Sequence, residues 1–260
     1  LVAAAVLVAA FAQPVMTEKV PSERSTIVLA IDTSLSMAAT DVSPNRIEAA
    51  QAAAKEFIDK LPDQLNVGLI SFAGSAQLLV PPTQDHAKVN AAIDGLELDK
   101  STAIGDATKL AVQVIEDQAR GTDGKKVDGA VVVMSDGETT VGLPTADAIP
   151  IAKKAGVAIT TIAYGTQEGE ITVDTDGDGV GQRTRVPVNV EELRSLAEGT
   201  GGTAYTAETA QSLRSVYSEL GSTIGYDEKS QDVTYRFVGL SLVLLLVAAG
   251  FSLRWFSRLP

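Results

Sequence analysis

Residues 27–37 read IVLAIDTSLSM and set the pattern for the whole chain. An uninterrupted apolar run is followed by an acid, Asp32, and by two serines at alternate positions, Ser34 and Ser36. An apolar run without polar alternation is typical of a strand that is buried on both faces of a parallel sheet. A second run of the same kind, AVVVM at 130–134, indicates another such strand.

Apolar runs and amphipathic stretches alternate throughout residues 25–222, which we predict to form one domain. The predicted strands span 27–31, 67–72, 76–80, 130–134, 157–163 and 204–205. The predicted helices span 45–61, 86–96, 102–118, 147–155, 190–198 and 207–222. This alternation predicts an α/β fold, in which helices cover both faces of a doubly wound, mostly parallel sheet. Because a tight Gly-Ser turn joins the second and third strands, we predict that this pair is antiparallel and lies at a sheet edge.

The composition excludes several classes of protein. The 260 residues carry a formal net charge of −12, which argues against nucleic-acid binding because such proteins normally have a basic surface. The absence of cysteine from the sequence excludes disulfides, thiol catalysis and cysteine-based metal sites. A Ser-His-Asp hydrolase would have to use His86, the single histidine, for which we predict a surface role instead.

Both ends of the sequence are strongly apolar. Residues 237–253 contain no charge, and we predict a transmembrane helix over 237–256 because about 20 apolar residues cross a bilayer. Residues 1–12 are also apolar, and we interpret them as the second half of another transmembrane helix. The polar segments 13–24 and 223–236 are predicted to be linkers between these helices and the domain.

Basic residues near the end of the sequence predict how the chain is oriented. The short tail 257–260 contains Arg258 and no acid, and Arg254 lies just before it. Positively charged tails of this kind remain in the cytoplasm, so we predict a cytoplasmic tail. The domain at 25–222 is then expected on the extracytoplasmic side of a cell membrane.

Oxygen-bearing side chains follow several predicted elements, at the edge where a doubly wound sheet binds ligands. Asp32, Ser34 and Ser36 follow the first strand, Asp136 follows the fourth, and Thr102 stands at the start of a long helix. All five offer hard oxygen ligands, which suit Mg²⁺ or Mn²⁺. Because two of them are carboxylates and three are neutral, the bound ion would keep a position for an Asp or Glu carboxylate of a partner protein.

Each of these motifs also has a simpler interpretation. Ser34, Ser36 or Thr102 would serve equally well as a helix cap, and Asp136 with Gly137 would form a simple turn. The joint occurrence of all three motifs at the predicted ligand-binding edge favours the metal site.

The set Asp32, Ser34, Ser36, Thr102 and Asp136 resembles the metal-ion-dependent adhesion site (MIDAS) of von Willebrand factor A (vWA) domains. The resemblance covers roughly the whole predicted domain. It implies a Rossmann-like vWA fold and a divalent metal that these five residues bind.

Three further segments are similar to the Bat-type vWA membrane proteins of bacteria. They are SMAATDVSPNR at 36–46, TAIGDA at 102–107 and GTGG at 199–202. Bat-type proteins carry helices before and after the vWA domain and are associated with MoxR-type AAA+ ATPases. The resemblance therefore implies an ATPase of that type as a partner.

An acidic stretch, DTDGDG, resembles the start of a calcium-binding loop. Its acids at the first, third and fifth loop positions are Asp174, Asp176 and Asp178. The twelfth position is Arg185, where such a loop needs a bidentate Glu. We therefore predict a hairpin between strands at 170–173 and 184–188, with weak Ca²⁺ binding by the three acids as the alternative.

These features predict a non-enzymatic, membrane-anchored module that binds a divalent metal and mediates metal-dependent protein–protein interaction. A metal-dependent hydrolase or phosphatase is the alternative from another class, but such an enzyme needs a second metal or a positioned base. A structural exported domain with a vestigial site is the third interpretation.

Overall fold

The computed structural model describes residues 15–21, 26–120, 129–173, 181–224, 226–232 and 234–256. The chain forms two compact units. The larger unit is Pro21–Gly225, and the smaller one combines Leu1–Val20 with Tyr226–Pro260.

A six-stranded sheet with the order β4-β3-β2-β5-β6-β9 forms the centre of the larger unit. Its strands are β2 (Thr26–Asp32), β3 (Asn66–Phe72), β4 (Ala76–Thr83), β5 (Gly129–Ser135), β6 (Ile159–Tyr164) and β9 (Ala204–Ala207). Neighbouring strands are parallel except β3 and β4, which are antiparallel. The predicted α/β fold with one antiparallel edge strand is therefore confirmed.

Helices cover both faces of this sheet. They are α1 (Arg46–Lys60), α2 (His86–Asp94), α3 (Ile104–Arg120), α4 (Thr145–Ala155), α5 (Val190–Thr200) and α6 (Ala210–Ile224). The central strand β2 is buried along its whole length, and its alternate residues point to opposite faces. Ile27, Leu29 and Ile31 enter the core beneath α1, α2 and α6, whereas Val28 and Ala30 enter the core beneath α3, α4 and α5.

The edge strand β4 is longer than the sequence pattern predicts. The predicted strand ends at Val80 because two prolines follow, whereas β4 continues through Pro81 and Pro82 to Thr83. Proline lacks an N–H group and is tolerated in a strand whose outer edge has no partner strand. The position of β4 at the end of the sheet therefore accounts for the difference.

A separate two-stranded hairpin lies between β6 and α5 in the chain. Its strands, β7 (Glu170–Val173) and β8 (Gln182–Arg185), pair in antiparallel register, with Glu170 opposite Arg185. The predicted hairpin is thus confirmed, although its second strand spans Gln182–Arg185 and not the predicted 184–188. The three acids of the alternative calcium site lie outside the described residues.

The smaller unit contains strands β1 (Val15–Pro21) and β10 (Tyr226–Asp232), which pair with each other, and helix α7 (Thr234–Phe256). These two strands lie in segments that the sequence pattern predicts to be linkers. The pairing joins segments about 200 residues apart, and such a distant pairing leaves no local periodicity to detect.

Helix α7 carries the apolar run that was predicted to be a transmembrane helix. Within the described ranges, the chain has no helix that is sufficiently long and apolar to cross a membrane. The transmembrane interpretation of 237–256 therefore remains a prediction, and the interpretation of residues 1–12 falls outside the described residues.

Substitution of one central-strand leucine should test how strongly the sheet core determines stability. Leu69 on β3 is fully buried, so we expect Leu69→Ala to lower the free energy of unfolding by about 2–5 kcal/mol. Leu79 on β4 is 39% exposed, and Leu79→Ala should cost less than about 1 kcal/mol. Urea denaturation followed by circular dichroism measures both values, and equal losses would contradict the assignment of the two strands to centre and edge.

Candidate metal centre

Asp32 is the last residue of β2, and hydrogen bonds hold its side chain from two sides. It is fully buried, and the backbone N–H of Ser34 donates to its Oδ1 at 2.7 Å. The hydroxyl of Ser135, at the end of β5, donates to its Oδ2, and the N–H of Gly137 donates to that same hydroxyl at 2.9 Å. The Asp32 carboxylate is therefore fixed in one orientation.

The two serines that follow Asp32 converge on each other. A single turn of 3-10 helix, Leu35–Ala38, begins directly after Ser34 and turns the chain back. This turn brings the hydroxyl oxygens of Ser34 and Ser36 to 2.8 Å from each other. The Ser34 side chain makes no capping hydrogen bond to this short helix, so the simpler interpretation of Ser34 as a cap does not hold.

Asp136 follows β5 and is 4% exposed. Nη1 of Arg46 donates to its Oδ2 at 3.1 Å, and the Ser36 side chain is close enough to oppose the rise of its pKa. The residue does belong to a turn, since Gly137 has φ of 89°. The turn interpretation and the ligand interpretation are therefore compatible, because the buried carboxylate is directed to Ser36 and Arg46.

The sheet topology explains why Asp32 and Asp136 meet. Strands β2 and β5 are neighbours, while the chain leaves β2 for β3 on its other side. The two carboxylates thus flank the point where the strand order reverses, which is where doubly wound sheets bind ligands.

Thr102 lies in the loop that adjoins the Asp32 loop. It is buried, and its loop is tied to the Asp32 loop because the N–H of Asp99 donates to the carbonyl of Thr33 at 2.9 Å. Its own backbone N–H donates to the hydroxyl of Thr140 at 2.9 Å. Among the described residues, no hydrogen bond joins the Thr102 hydroxyl to the other four predicted ligands.

Arg46, at the first position of α1, belongs to the site although the sequence pattern did not single it out as a functional residue. Its side chain is completely buried, and Nε and Nη2 donate to the two oxygens of Asp41 at 2.9 and 2.8 Å. A basic residue at a helix N-terminus opposes the helix dipole. A basic residue at this unfavourable helix position is the signal in the sequence that an acidic partner lies elsewhere in the fold.

The buried charges do not balance. Burial raises the pKa of Asp32 to about 7, and the nearby charge of Asp136 contributes to the increase. Burial also raises the pKa of Asp136, against the opposing effects of Ser36 and Arg46. Burial would raise the pKa of Asp41 as well, but hydrogen bonds from Arg46 and Thr166 outweigh it and lower that pKa. Asp41 and Asp136 thus pair with the guanidinium of Arg46, whereas no ion pair within the described residues involves Asp32.

A divalent cation fits this donor set. Two carboxylates and the hydroxyls of Ser34 and Ser36 are hard oxygen donors, and the excess negative charge is the kind that a 2+ ion neutralises. No group of three or more His, Cys, Asp or Glu side chains in the described part of the chain is arranged to hold a metal ion. A metal here would therefore depend on the serine hydroxyls as well as on the two carboxylates.

The single histidine lies at the opposite end of the sheet. A ring nitrogen of His86 is 3.0 Å from the carbonyl oxygen of Leu65, which immediately precedes β3. Strands β2 and β3 run parallel over seven paired residues, so Asp32 lies about 20 Å away at the other end. His86 is therefore too far from Ser34 to act as its base.

Comparison with known proteins assigns the family. A model of the von Willebrand factor type A domain matches residues 27–138, which contain all five predicted ligands. A UPF0353 protein of Nocardia farcinica is 40% identical over 267 aligned residues, which cover 98% of this chain and 79% of that protein. The chain belongs to the UPF0353 family of vWA-domain proteins.

Solved structures agree with this assignment of the UPF0353 chain. A conserved hypothetical protein, BatB from Bacteroides thetaiotaomicron, matches with a TM-score of 0.63 and 25% identity, covering 76% of this chain and 98% of that one. An aerotolerance-related membrane protein from Bacteroides fragilis matches with a TM-score of 0.64 and 24% identity over the same shares. The vWA fold and the resemblance to Bat-type proteins are confirmed, whereas the metal ligands remain a prediction.

Neutralising Asp32 should change metal binding and folding stability in opposite directions. In Asp32→Asn we expect the loss of Mg²⁺ binding, because a ligand carboxylate is removed. We also expect the free energy of unfolding in EDTA at pH 8 to rise by about 1–3 kcal/mol, because the variant no longer buries an unpaired charge. Calorimetric titration and chemical denaturation of the full chain measure the two effects.

Asp136→Asn is the matched control for this prediction. It should also weaken Mg²⁺ binding, but with a smaller gain in stability, because neutralising Asp136 also removes an ion pair of the buried Arg46. Undiminished Mg²⁺ affinity in Asp32→Asn would contradict the assignment of Asp32 as a ligand.

Proposed function

We propose that this UPF0353 chain is a non-enzymatic interaction module that binds Mg²⁺ or Mn²⁺ and thereby holds a carboxylate of a partner protein. The observation that carries the proposal is the buried pair Asp32 and Asp136, with the converging hydroxyls of Ser34 and Ser36 beside it. Thr102 is the fifth proposed ligand, in the neighbouring loop. A bound divalent ion supplies Lewis acidity, which attracts an anionic group of the partner.

The chemistry around the site favours binding over hydrolysis. Ser34 and Ser36 hydrogen-bond each other, and the single histidine is about 20 Å along the sheet from Asp32. The histidine therefore lies too far away to activate either serine, or a water molecule at the pair of carboxylates, as a hydrolase or phosphatase would require. This arrangement supports a site that holds a ligand without transforming it.

The proposed partner supplies an Asp or Glu side chain. The chain has a net charge of −12, so an acidic partner would be repelled at long range. Attraction must then be local, and a buried metal–carboxylate contact is screened by salt far less than surface ion pairs are. A MoxR-type AAA+ ATPase, which the family resemblance implies, is our candidate for a further protein in the assembly.

Membrane anchoring is the second part of the proposal. Large apolar side chains of α7 are exposed, and they include Leu240, Leu242, Val243, Leu246, Phe251 and Leu253. A membrane supplies the apolar surroundings that such a helix lacks in water. The description of the related Bacteroides fragilis protein as a membrane protein agrees with this role. We propose that the apolar segment 237–256 crosses the cell membrane, with the larger unit outside and the C-terminal tail in the cytoplasm.

Metal dependence of partner capture tests the interaction. Full chain in native membranes is crosslinked in Mg²⁺ or in EDTA, and in NaCl from 0.1 to about 0.4 M. We expect EDTA to reduce the yield of crosslinked partner more than about tenfold, because removing the ion leaves buried carboxylates facing each other. Moderate salt should change the yield much less, and Asp32→Asn should behave in Mg²⁺ as the unaltered chain does in EDTA. Equal yields with and without EDTA would refute a metal-bridged interaction.

Protease accessibility tests the proposed topology. A protease added to intact cells should cleave the β7–β8 hairpin and leave an epitope tag placed after Pro260 intact, because that tail is proposed to be cytoplasmic. Detergent-permeabilised cells provide the control in which the tag is also degraded. Protection of the hairpin in intact cells would contradict the outward orientation of the larger unit.

A further inference from the structure

The guanidinium of Arg46 connects the candidate metal centre to the base of the β7–β8 hairpin. Besides its bonds to Asp41 and Asp136, its Nη2 donates to the carbonyl oxygen of Val186 at 3.0 Å. A longer bond from the same atom reaches the carbonyl of Thr166 at 3.4 Å. One side chain therefore contacts a proposed metal ligand and both ends of the segment that forms the hairpin.

Asp41 reinforces this connection. Its Oδ2 accepts hydrogen bonds from the N–H of Thr166 at 2.7 Å and from the hydroxyl of Thr166 at 2.9 Å. The two ends of the hairpin are tied together where the N–H of Val186 donates to the carbonyl of Gly169 at 2.8 Å. β7 also packs against the 3-10 turn Leu35–Ala38, which carries Ser36. The hairpin base is thus attached to the centre at two places.

The chain leaves room for Arg46 by having glycine where any side chain would collide with the guanidinium. A Cβ at Gly169 would lie 2.0 Å from Nη2 of Arg46 and 2.9 Å from the carbonyl oxygen of Val186. A Cβ at Gly165 would lie 2.4 Å from Nε. Both glycines belong to the segment that leads into the hairpin, so the packing there is specific for the position of Arg46.

We propose that Arg46 is a positioning residue of the metal centre and couples it to the β7–β8 hairpin. Arg46 occupies Oδ2 of Asp136, which leaves the other carboxylate oxygen for the metal. A metal bound through that oxygen would require this orientation of Asp136, in which Arg46 also contacts Val186 and Thr166. By thermodynamic reciprocity, an ion that favours this arrangement also stabilises the hairpin base, and the hairpin base favours the ion. The inference rests on the proposed metal site.

The hairpin then becomes a metal-responsive part of the surface beside the centre. Partner contacts made by the hairpin would strengthen when the ion is bound, although none of the proposed ligands lies in the hairpin. Side chains that hold a metal ligand in place typically change metal affinity by about 10- to 100-fold when they are displaced.

A pair of Gly→Ala substitutions in the full chain tests the coupling. Gly169→Ala displaces the guanidinium from the hairpin side and alters none of the proposed ligands, so we expect Mg²⁺ affinity to fall about tenfold in calorimetric titration. Gly181→Ala is the matched control at the other end of the hairpin, where the added Cβ meets, among the described residues, only the Cγ2 methyl of Thr172 at 2.3 Å and the side-chain carbon behind it. Its Mg²⁺ affinity should stay within about twofold of the unaltered chain.

Hydrogen exchange of the unaltered chain provides a measurement that does not depend on either variant folding. The amides of Thr166 and Val186 should exchange several-fold more slowly in Mg²⁺ than in EDTA, because opening of the hairpin base then costs the energy of coupling as well. The amide of Thr161, which bonds Thr203 within the sheet, should not respond. Asp32→Asn should show no response at any of the three amides.

The outcomes distinguish the inference from the function on which it rests. Normal Mg²⁺ binding by the unaltered chain together with equal affinity in folded Gly169→Ala would overturn the coupling and leave the metal site in place. Mg²⁺-independent exchange at Thr166 and Val186 in a chain that binds Mg²⁺ would overturn it as well. Absence of Mg²⁺ binding by the unaltered chain would refute the proposed function, and the coupling with it.

Discussion

Two like charges, Asp32 and Asp136, are buried together at the ends of adjacent strands. The other residues of the site reduce the free-energy cost of burying them. Desolvation and mutual repulsion both oppose ionisation of the pair. Hydrogen bonds from Ser135 and from the Ser34 backbone offset part of the cost for Asp32, and Arg46 offsets part of it for Asp136. The charge that remains uncompensated is the physical reason for proposing a divalent ion.

The apolar strands explain why such a costly arrangement persists. Strand β2 is buried along its whole length between two cores, and its pairing with β3 and β5 fixes where it ends. Asp32 therefore cannot move toward solvent unless central sheet pairing is broken. The stability of the sheet thus holds the two carboxylates in an electrostatically unfavourable arrangement.

Features that depend on local periodicity were predictable from sequence, and features that depend on distant contacts were not. The buried strands, the antiparallel edge pair and the convergence of Asp32, Ser34, Ser36 and Asp136 all follow from apolar runs and from what comes after them. The role of Arg46 depends on partners more than 100 residues further along the chain, at Thr166 and Val186. No pattern within one helix specifies such partners, and the same reason explains why the β1–β10 pair was not anticipated.

The β1–β10 pair has a mechanical consequence. Its strands precede and follow the larger unit in the chain, so two neighbouring strands, about 5 Å apart, mark the start and end of the intervening 200 or so residues. A pulling force applied to the two flanking segments would load the hydrogen bonds between β1 and β10 first. The six-stranded sheet would not carry the force until β1 and β10 separated. The carboxylate pair would therefore keep its geometry while the flanking segments are under load.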